Sequence, residues 1–128
     1  MIVSNLSYLL LLVAALQVKH AICDGPLQTL PMIKDKRNYL GLLGLAHAAI
    51  HGSGSLIVMA LAGLPVQTAL MLSVVDFAAH YHVDFGKEYL LRKTGWTPSD
   101  GQYWWAYGTD QMLHQLTYLL LAWLAFKP

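Results

Sequence analysis

The sequence predicts an all-α integral membrane protein: a bundle of four transmembrane helices in a single membrane domain over residues 1–128. Three observations lead there. Hydrophobic residues fill 56% of the 128 positions and charged residues only 12%, far from the balance of a water-soluble domain. Four apolar stretches each approach the roughly 20 residues needed to cross about 30 Å of hydrocarbon. Segments rich in Gly and Pro separate them. A net charge of +1 and a pI near 7.9 supply no global field for nucleic acid, and no basic groove is interleaved with aromatics, so nucleic acid is not an expected partner. Cys23 is the only cysteine, which rules out an intrachain disulfide.

The first stretch spans about residues 2–22. It resembles a secretion signal in position and in its run from Tyr8 to Leu16, but no Lys or Arg precedes Lys19, and Lys19-His20-Ala21-Ile22 is a poor cleavage site. A retained helix is expected. Asp24-Gly25-Pro26 ends it, and Leu27 to Asn38 forms an amphipathic or irregular connector with Lys34, Lys36 and Arg37. The second stretch, about 39–62, and the third, about 66–85 with an extension to 93 left open, are joined through Gly63-Leu64-Pro65 as a tight hairpin. Thr94 to Gly101 leads to the fourth stretch, about 104–126.

Lys and Arg are retained on the cytoplasmic side during insertion. Of eight such residues, Lys19, Lys34, Lys36, Arg37, Lys87, Arg92 and Lys93 lie in or beside the first and third connectors, and only Lys127 lies at the other side. Connectors 23–38 and 86–103 are therefore expected to be cytoplasmic and both termini to face away. Trp96, Tyr103, Trp104 and Trp105 supply an aromatic belt at that interface.

The ionisable residues inside these stretches carry the chemistry. An Asp at mid-membrane costs roughly 2.5 to 3.5 kcal/mol on insertion scales and needs a partner. His20 and Asp24 are four apart on the first helix, His47 and His51 on the second, and Asp110 and His114 on the fourth, while Asp76, His80 and Asp84 repeat that interval on the third. A four-residue step stacks two side chains on one face, so one helix can offer two ligands to one ion. Depth agrees. His47 and His51 lie about 12 and 18 Å in from Tyr39, Asp110 and His114 about 9 and 15 Å in from Trp104, and Asp76 and His80 about 13 and 8 Å below Phe85. All four pairs can meet in the cytoplasmic half of one bundle.

Interhelical hydrogen bonding or an Asp–His proton relay would also place polar residues there. Recurrence at one spacing and depth points instead to a bound metal, on the pattern of carboxylate-and-histidine sites in helical bundles. His and Asp without thiolate suit zinc, manganese or iron. Nine candidate groups exceed the positions around one ion, so either two metals bind or some groups support the ligands. His47, His51, His80, Asp110 and His114 are the first choices. Asp24 and His20 are further candidate ligands, and Asp76 and Asp84 are further ligands, orienting carboxylates or bases. Lys87 shares the third helix's stripe and can clamp an anionic group, whereas Lys34 and Lys36 suit topology and snorkelling. His82 points away from the stripe, and Gly52-Ser53-Gly54-Ser55 permits close helix approach.

These motifs resemble an uncharacterised family of small bacterial and phage membrane proteins, the domain of unknown function thirty-three-oh-seven. The matching residues are His20, Asp24, Leu27 and Gln28, then Lys34 or Lys36, His47, then His80, Asp84 and Lys87, and finally Asp110, Gln111 and His114. Gly25 replaces the aromatic residue that usually follows the first Asp. The resemblance implies a bacterial inner membrane and supports the site without naming a reaction. A looser similarity to membrane-bound metal-dependent hydrolases points toward hydrolysis. Two functions are weighed. One is a metal-dependent hydrolase of a lipid-borne ester or phosphoester, using metal-activated water, a carboxylate base (Asp76 or Asp84) and Lys87. The other is a non-catalytic protein: a proton or metal relay, a transporter element, or a phage factor bound to a host membrane protein. A homo-oligomer would enlarge the room for a substrate.

Overall fold

The computed structural model describes residues 2–126, with side chains from Leu6 onward. The described residues form five helices: α1 (Ile2–Asp24), α2 (Leu30–Asp35), α3 (Leu42–Leu61), α4 (Val66–Thr94) and α5 (Gly101–Ala125). No strand occurs among the described residues.

The connector after α1 holds the short helix α2, capped by Thr29, whose hydroxyl accepts the Met32 N–H, with Pro31 in the first turn. α3 begins later than the expected residue 39 for a local reason. Leu40 adopts φ 59°, which no helix accommodates, and the chain straightens at Gly41 before winding. No side chain at Gly41 caps α3. The Asp35 carboxylate does so from outside, accepting the N–H groups of Leu43 and Gly44 at 2.7 and 3.1 Å. A bond from the Asn38 side chain, with those from Gly44 and Leu43, holds Asp35 below the usual carboxylate range. α4 takes the extension toward residue 93 and ends at Gly95, whose φ of 73° suits a residue without a Cβ. α5 starts three residues ahead of the expected 104, at Gly101.

Helix α1 packs on α3 and α5, and α4 packs on the same two, so α1 lies diagonally opposite α4. The Tyr8 hydroxyl bonds Ala62 O and its ring meets Phe126 edge-on, bringing the start of α1 beside the ends of α3 and α5. Neighbouring long helices therefore run antiparallel. Gly52 allows the α3–α4 crossing, since a Cβ there would sit 3.1 Å from both Ser73 O and Phe77 Cβ.

The interior is layered. At the end away from the connectors, Leu12, Leu16, Met59, Leu72, Tyr118 and Leu121 form an apolar core. Next comes a polar layer around Lys19 and Asp76, then a cluster of His and Asp, then a cavity under the connectors. Large apolar side chains face outward on every long helix, among them Leu11, Leu61, Val74, Trp105 and Trp123.

Among the described residues two helical segments, Leu6–Asp24 and Leu42–Leu61, are long and apolar enough to cross a membrane. Of the four comparable apolar spans expected, only these two reach that threshold among the described residues. α4 and α5 have the length, but Asp76, His80, Asp84, Asp110 and His114 lower their mean hydropathy while pointing inward. Lys127, assigned to the far side, lies outside the described residues. Lys19, counted among the connector charges, is instead buried in the bundle at 6% exposure.

Candidate metal centre

The four-residue intervals on α1, α3, α4 and α5 do place their polar side chains on inward faces. Asp24, on the last turn of α1, is the hub. Its Oδ1 lies 3.1 Å from His47 Nε2, 3.0 Å from His51 Nε2 and 3.8 Å from His80 Nε2. His47 Nε2 and His80 Nε2 are themselves 3.2 Å apart. Asp24, His47, His51 and His80 thus offer four ligand atoms all within 4.8 Å of one another. The three imidazoles are fully buried, and the Asp24 side chain retains 20% exposure.

Hydrogen bonding alone serves this geometry poorly. His47 Nε2 faces Asp24 Oδ1, His80 Nε2 and, at 3.5 Å, Asp84 Oδ2, yet one ring nitrogen carries one proton or one lone pair. A cation held there would meet all of them together. Around an ion with bonds of roughly 2.0–2.1 Å in a tetrahedron, neighbouring ligand atoms stand about 3.3–3.4 Å apart, close to the spacings here.

Asp84 forms a second hub. Its Oδ2 lies 3.2 Å from His80 Nε2 and 2.8 Å from Lys36 Nζ, and its Oδ1 lies 3.6 Å from His114 Nε2. His80, Asp84 and His114 form another group of ligand atoms within 4.8 Å. Asp110 stands beside it, with Oδ1 3.6 Å from His114 Nε2. His51 and His114 stack on opposite sides of the cluster against His80, with ring centroids 3.5 and 4.2 Å away.

Other expected site residues take different places. His20 is at the cluster's edge with both ring nitrogens partnered: Nδ1 lies 2.8 Å from the Tyr118 hydroxyl, and Nε2 lies 3.1 Å from Asp24 Oδ2 and 3.2 Å from Gln111 Oε1. That arrangement orients Asp24. Asp76 lies one layer deeper, outside both ligand groups, where it accepts from Lys19 Nζ at 2.9 Å and Ser55 Oγ at 2.6 Å. Lys19 also donates to the Tyr118 hydroxyl at 3.1 Å. His82 faces outward and bonds Ala78 O, as its position off the stripe implied.

Beside the cluster a cavity of about 290 Å³ opens beneath the connectors, lined by Asp24, Lys36, Asp84, Lys87, Glu88 and Asp110 among others. Of the two connector lysines it is Lys36 that reaches in, held by Asp84 and by Gln28 Oε1 at 2.7 Å, while Lys34 is exposed. Gln28 in turn donates to Asp24 O at 2.7 Å, tying the connector to the hub. Lys87 Nζ lies 3.6 Å from Asp110 Oδ2 and over the Tyr107 ring. Glu88, buried and paired with Arg37, was missed by the sequence reading, as were the polar roles of Tyr118 and Ser55. Extending the four-residue stripes by one step reaches each of them: His51 to Ser55, Asp84 to Glu88, His114 to Tyr118.

An all-α bundle that concentrates His and Asp from its four long helices at one level defines a candidate metal-binding protein. The chain belongs to the family described as Protein of unknown function (DUF3307), whose family model matches residues 10–128. No curated protein and no solved structure matches the chain.

Proposed function

We propose that this protein is a membrane-embedded enzyme that binds a divalent metal through Asp24, His47, His51 and His80 and hydrolyses an ester or phosphoester of a lipid-borne substrate. The observation that carries the reading is the convergence of those four ligand atoms beside a polar cavity open at the connector end. A divalent ion there would polarise a substrate oxygen and acidify a coordinated water. Lys87 lines the cavity, in keeping with an anion clamp, whereas Asp84 faces His80, His114 and Lys36 and Asp76 is committed to Lys19 and Ser55, which leaves neither carboxylate as a free base. Ligands of N and O type favour zinc, manganese or iron, and Cys23 turns toward Ile50 O.

A four-span arrangement in a bacterial inner membrane suits the inverted polarity of the bundle. His, Asp, Lys and Glu fill the interior, while Leu, Val and Trp cover the outside. Six connector-end charges, Lys34, Lys36, Arg37, Lys87, Arg92 and Lys93, favour a cytoplasmic position for the cavity mouth. Elemental mass spectrometry of detergent-purified protein, prepared without chelator, tests the reading together with turnover of nitrophenyl phosphate and carboxylate esters. Bound zinc, manganese or iron that is lost in His51→Ala, with metal-dependent turnover, is expected. Metal without turnover of either ester class would leave a binding protein, and no metal after reloading would overturn the site.

A further inference from the structure

We infer that the cluster holds two metal ions, the second bound by Asp84, Asp110 and His114, with Asp84 bridging the pair. The inference rests on the metal-binding reading above and concerns a separate set of atoms. His114 Nε2 and Asp110 Oδ1 are fully buried, and neither has a hydrogen-bond partner. A buried donor or acceptor left unsatisfied loses its hydration without replacement, more so for a charged oxygen, so a ligand between them is the expected remedy.

The spacings fit an ion better than a proton. His114 Nε2 stands 3.6 Å from Asp110 Oδ1 and 3.6 Å from Asp84 Oδ1, too far for hydrogen bonds and suitable for edges of a coordination polyhedron. The opposite oxygens are held from behind. Asp110 Oδ2 accepts from Gln111 Nε2 at 3.2 Å and faces Lys87, which leaves Oδ1 directed at His114. Asp84 Oδ2 meets Lys36 Nζ at 2.8 Å and is turned to His80 and His47, on the side of the first ion, while Oδ1 is turned to His114. One carboxylate with its two oxygens facing two sets of imidazoles has the disposition of a bridging ligand. Inward-facing carboxylates and histidines from four helices bind two ions in other helical bundles.

Charge balance supports the same count. Around the cavity Asp24, Asp84, Glu88 and Asp110 outnumber Lys36 and Lys87. One divalent ion would only neutralise that lining, whereas two leave it cationic and matched to a phosphoester rather than a neutral carboxylic ester. Paired ions also stabilise both the attacking and the leaving oxygen of a phosphoryl displacement.

The test loads full-length protein in detergent with excess Zn²⁺, removes free ion by gel filtration, and measures zinc per chain. Two ions per chain are expected, falling to one in Asp110→Asn, in His114→Ala and in His51→Ala, with far-UV circular dichroism unchanged. Loading with Mn²⁺ adds an electron paramagnetic resonance signature: an exchange-coupled pair in the parent chain and an isolated six-line ion in Asp110→Asn. One ion per chain in the parent, lost in His51→Ala and kept in Asp110→Asn, overturns the second site and leaves the first standing. Zero ions overturn both.

Discussion

The ion pair between Lys19 and Asp76 provides a stringent test of the bundle's interior. The two side chains are 6% and 1% exposed, reach across the diagonal between α1 and α4, and meet at 2.9 Å. Removing one partner of a buried pair destabilises by about 3–5 kcal/mol, because the other charge is stranded. In Lys19→Met, Asp76 keeps the Ser55 hydroxyl at 2.6 Å, which places the loss near the lower end, about 3 kcal/mol. In Asp76→Asn the ammonium keeps the Tyr118 hydroxyl and His51 O as neutral acceptors, and the loss is about 2–3 kcal/mol. The double variant Lys19→Met/Asp76→Asn strands no charge, and the Ser55 and Tyr118 hydroxyls each keep a partner, the side-chain oxygen at position 76 and His20 Nδ1. It should lie within about 2 kcal/mol of the parent, a coupling of roughly 3 kcal/mol between the sites. The assay is equilibrium unfolding by SDS titration in mixed micelles, read by far-UV circular dichroism with EDTA present so that metal binding does not contribute. Additive losses in the double variant, or a loss below about 1 kcal/mol in Lys19→Met, would refute the reasoning.

Three further outcomes follow from other parts of the molecule. Gly52→Ala drives a Cβ to 3.1 Å from the Ser73 carbonyl and Phe77 Cβ, so the α3–α4 crossing should lose about 1–3 kcal/mol in the same titration, against little change for Gly108→Ala, which meets nothing within 4 Å. Asp35 has its carboxyl held below the usual range by Asn38 and by the N–H groups of Gly44 and Leu43. Its stabilisation of α3 is thus present above the unfolded-state pKa and lost as pH falls through the lower folded value. Hydrogen exchange should show Leu43 and Gly44 losing protection in Asp35→Ala at neutral pH and in the parent only at acid pH; equal protection in both chains at neutral pH would contradict the cap. In a Cys23→Ser background, Lys34→Cys and Lys93→Cys should react with an impermeant maleimide only from the cytoplasmic face and Gln67→Cys only from the other, and labelling of all three from one side would sink the four-span arrangement.

The sequence made the long helices and their inward faces legible, because an interval of four residues fixes azimuth on a helix. His47 with His51, and Asp110 with His114, fall where that rule puts them. Spacing says less about which pairs meet. Asp76 shares the stripe of His80 and Asp84 yet stands a turn deeper, and it is Lys19 that meets it there. A lysine near a helix end reads from sequence as an interfacial charge, and only the open space at Gly54, where a Cβ would lie 2.8 Å from the Lys19 stem, lets this one turn inward. The late start of α3 was hidden for a similar reason: the Asp35 carboxylate that caps it lies on the preceding helix, eight positions before Leu43. Lys36 could not be separated from Lys34 until α2 fixed which of them faces the cavity.

X-ray absorption at the zinc edge of the reloaded protein tests the central claim most directly. The account predicts a first shell of nitrogen and oxygen at roughly 2.0–2.1 Å with imidazole outer-shell scattering, reduced in His51→Ala and His114→Ala. A sulfur shell near 2.3 Å, or a shell of oxygen alone without imidazole, would contradict it, since neither can arise at Asp24, His47, His51 and His80.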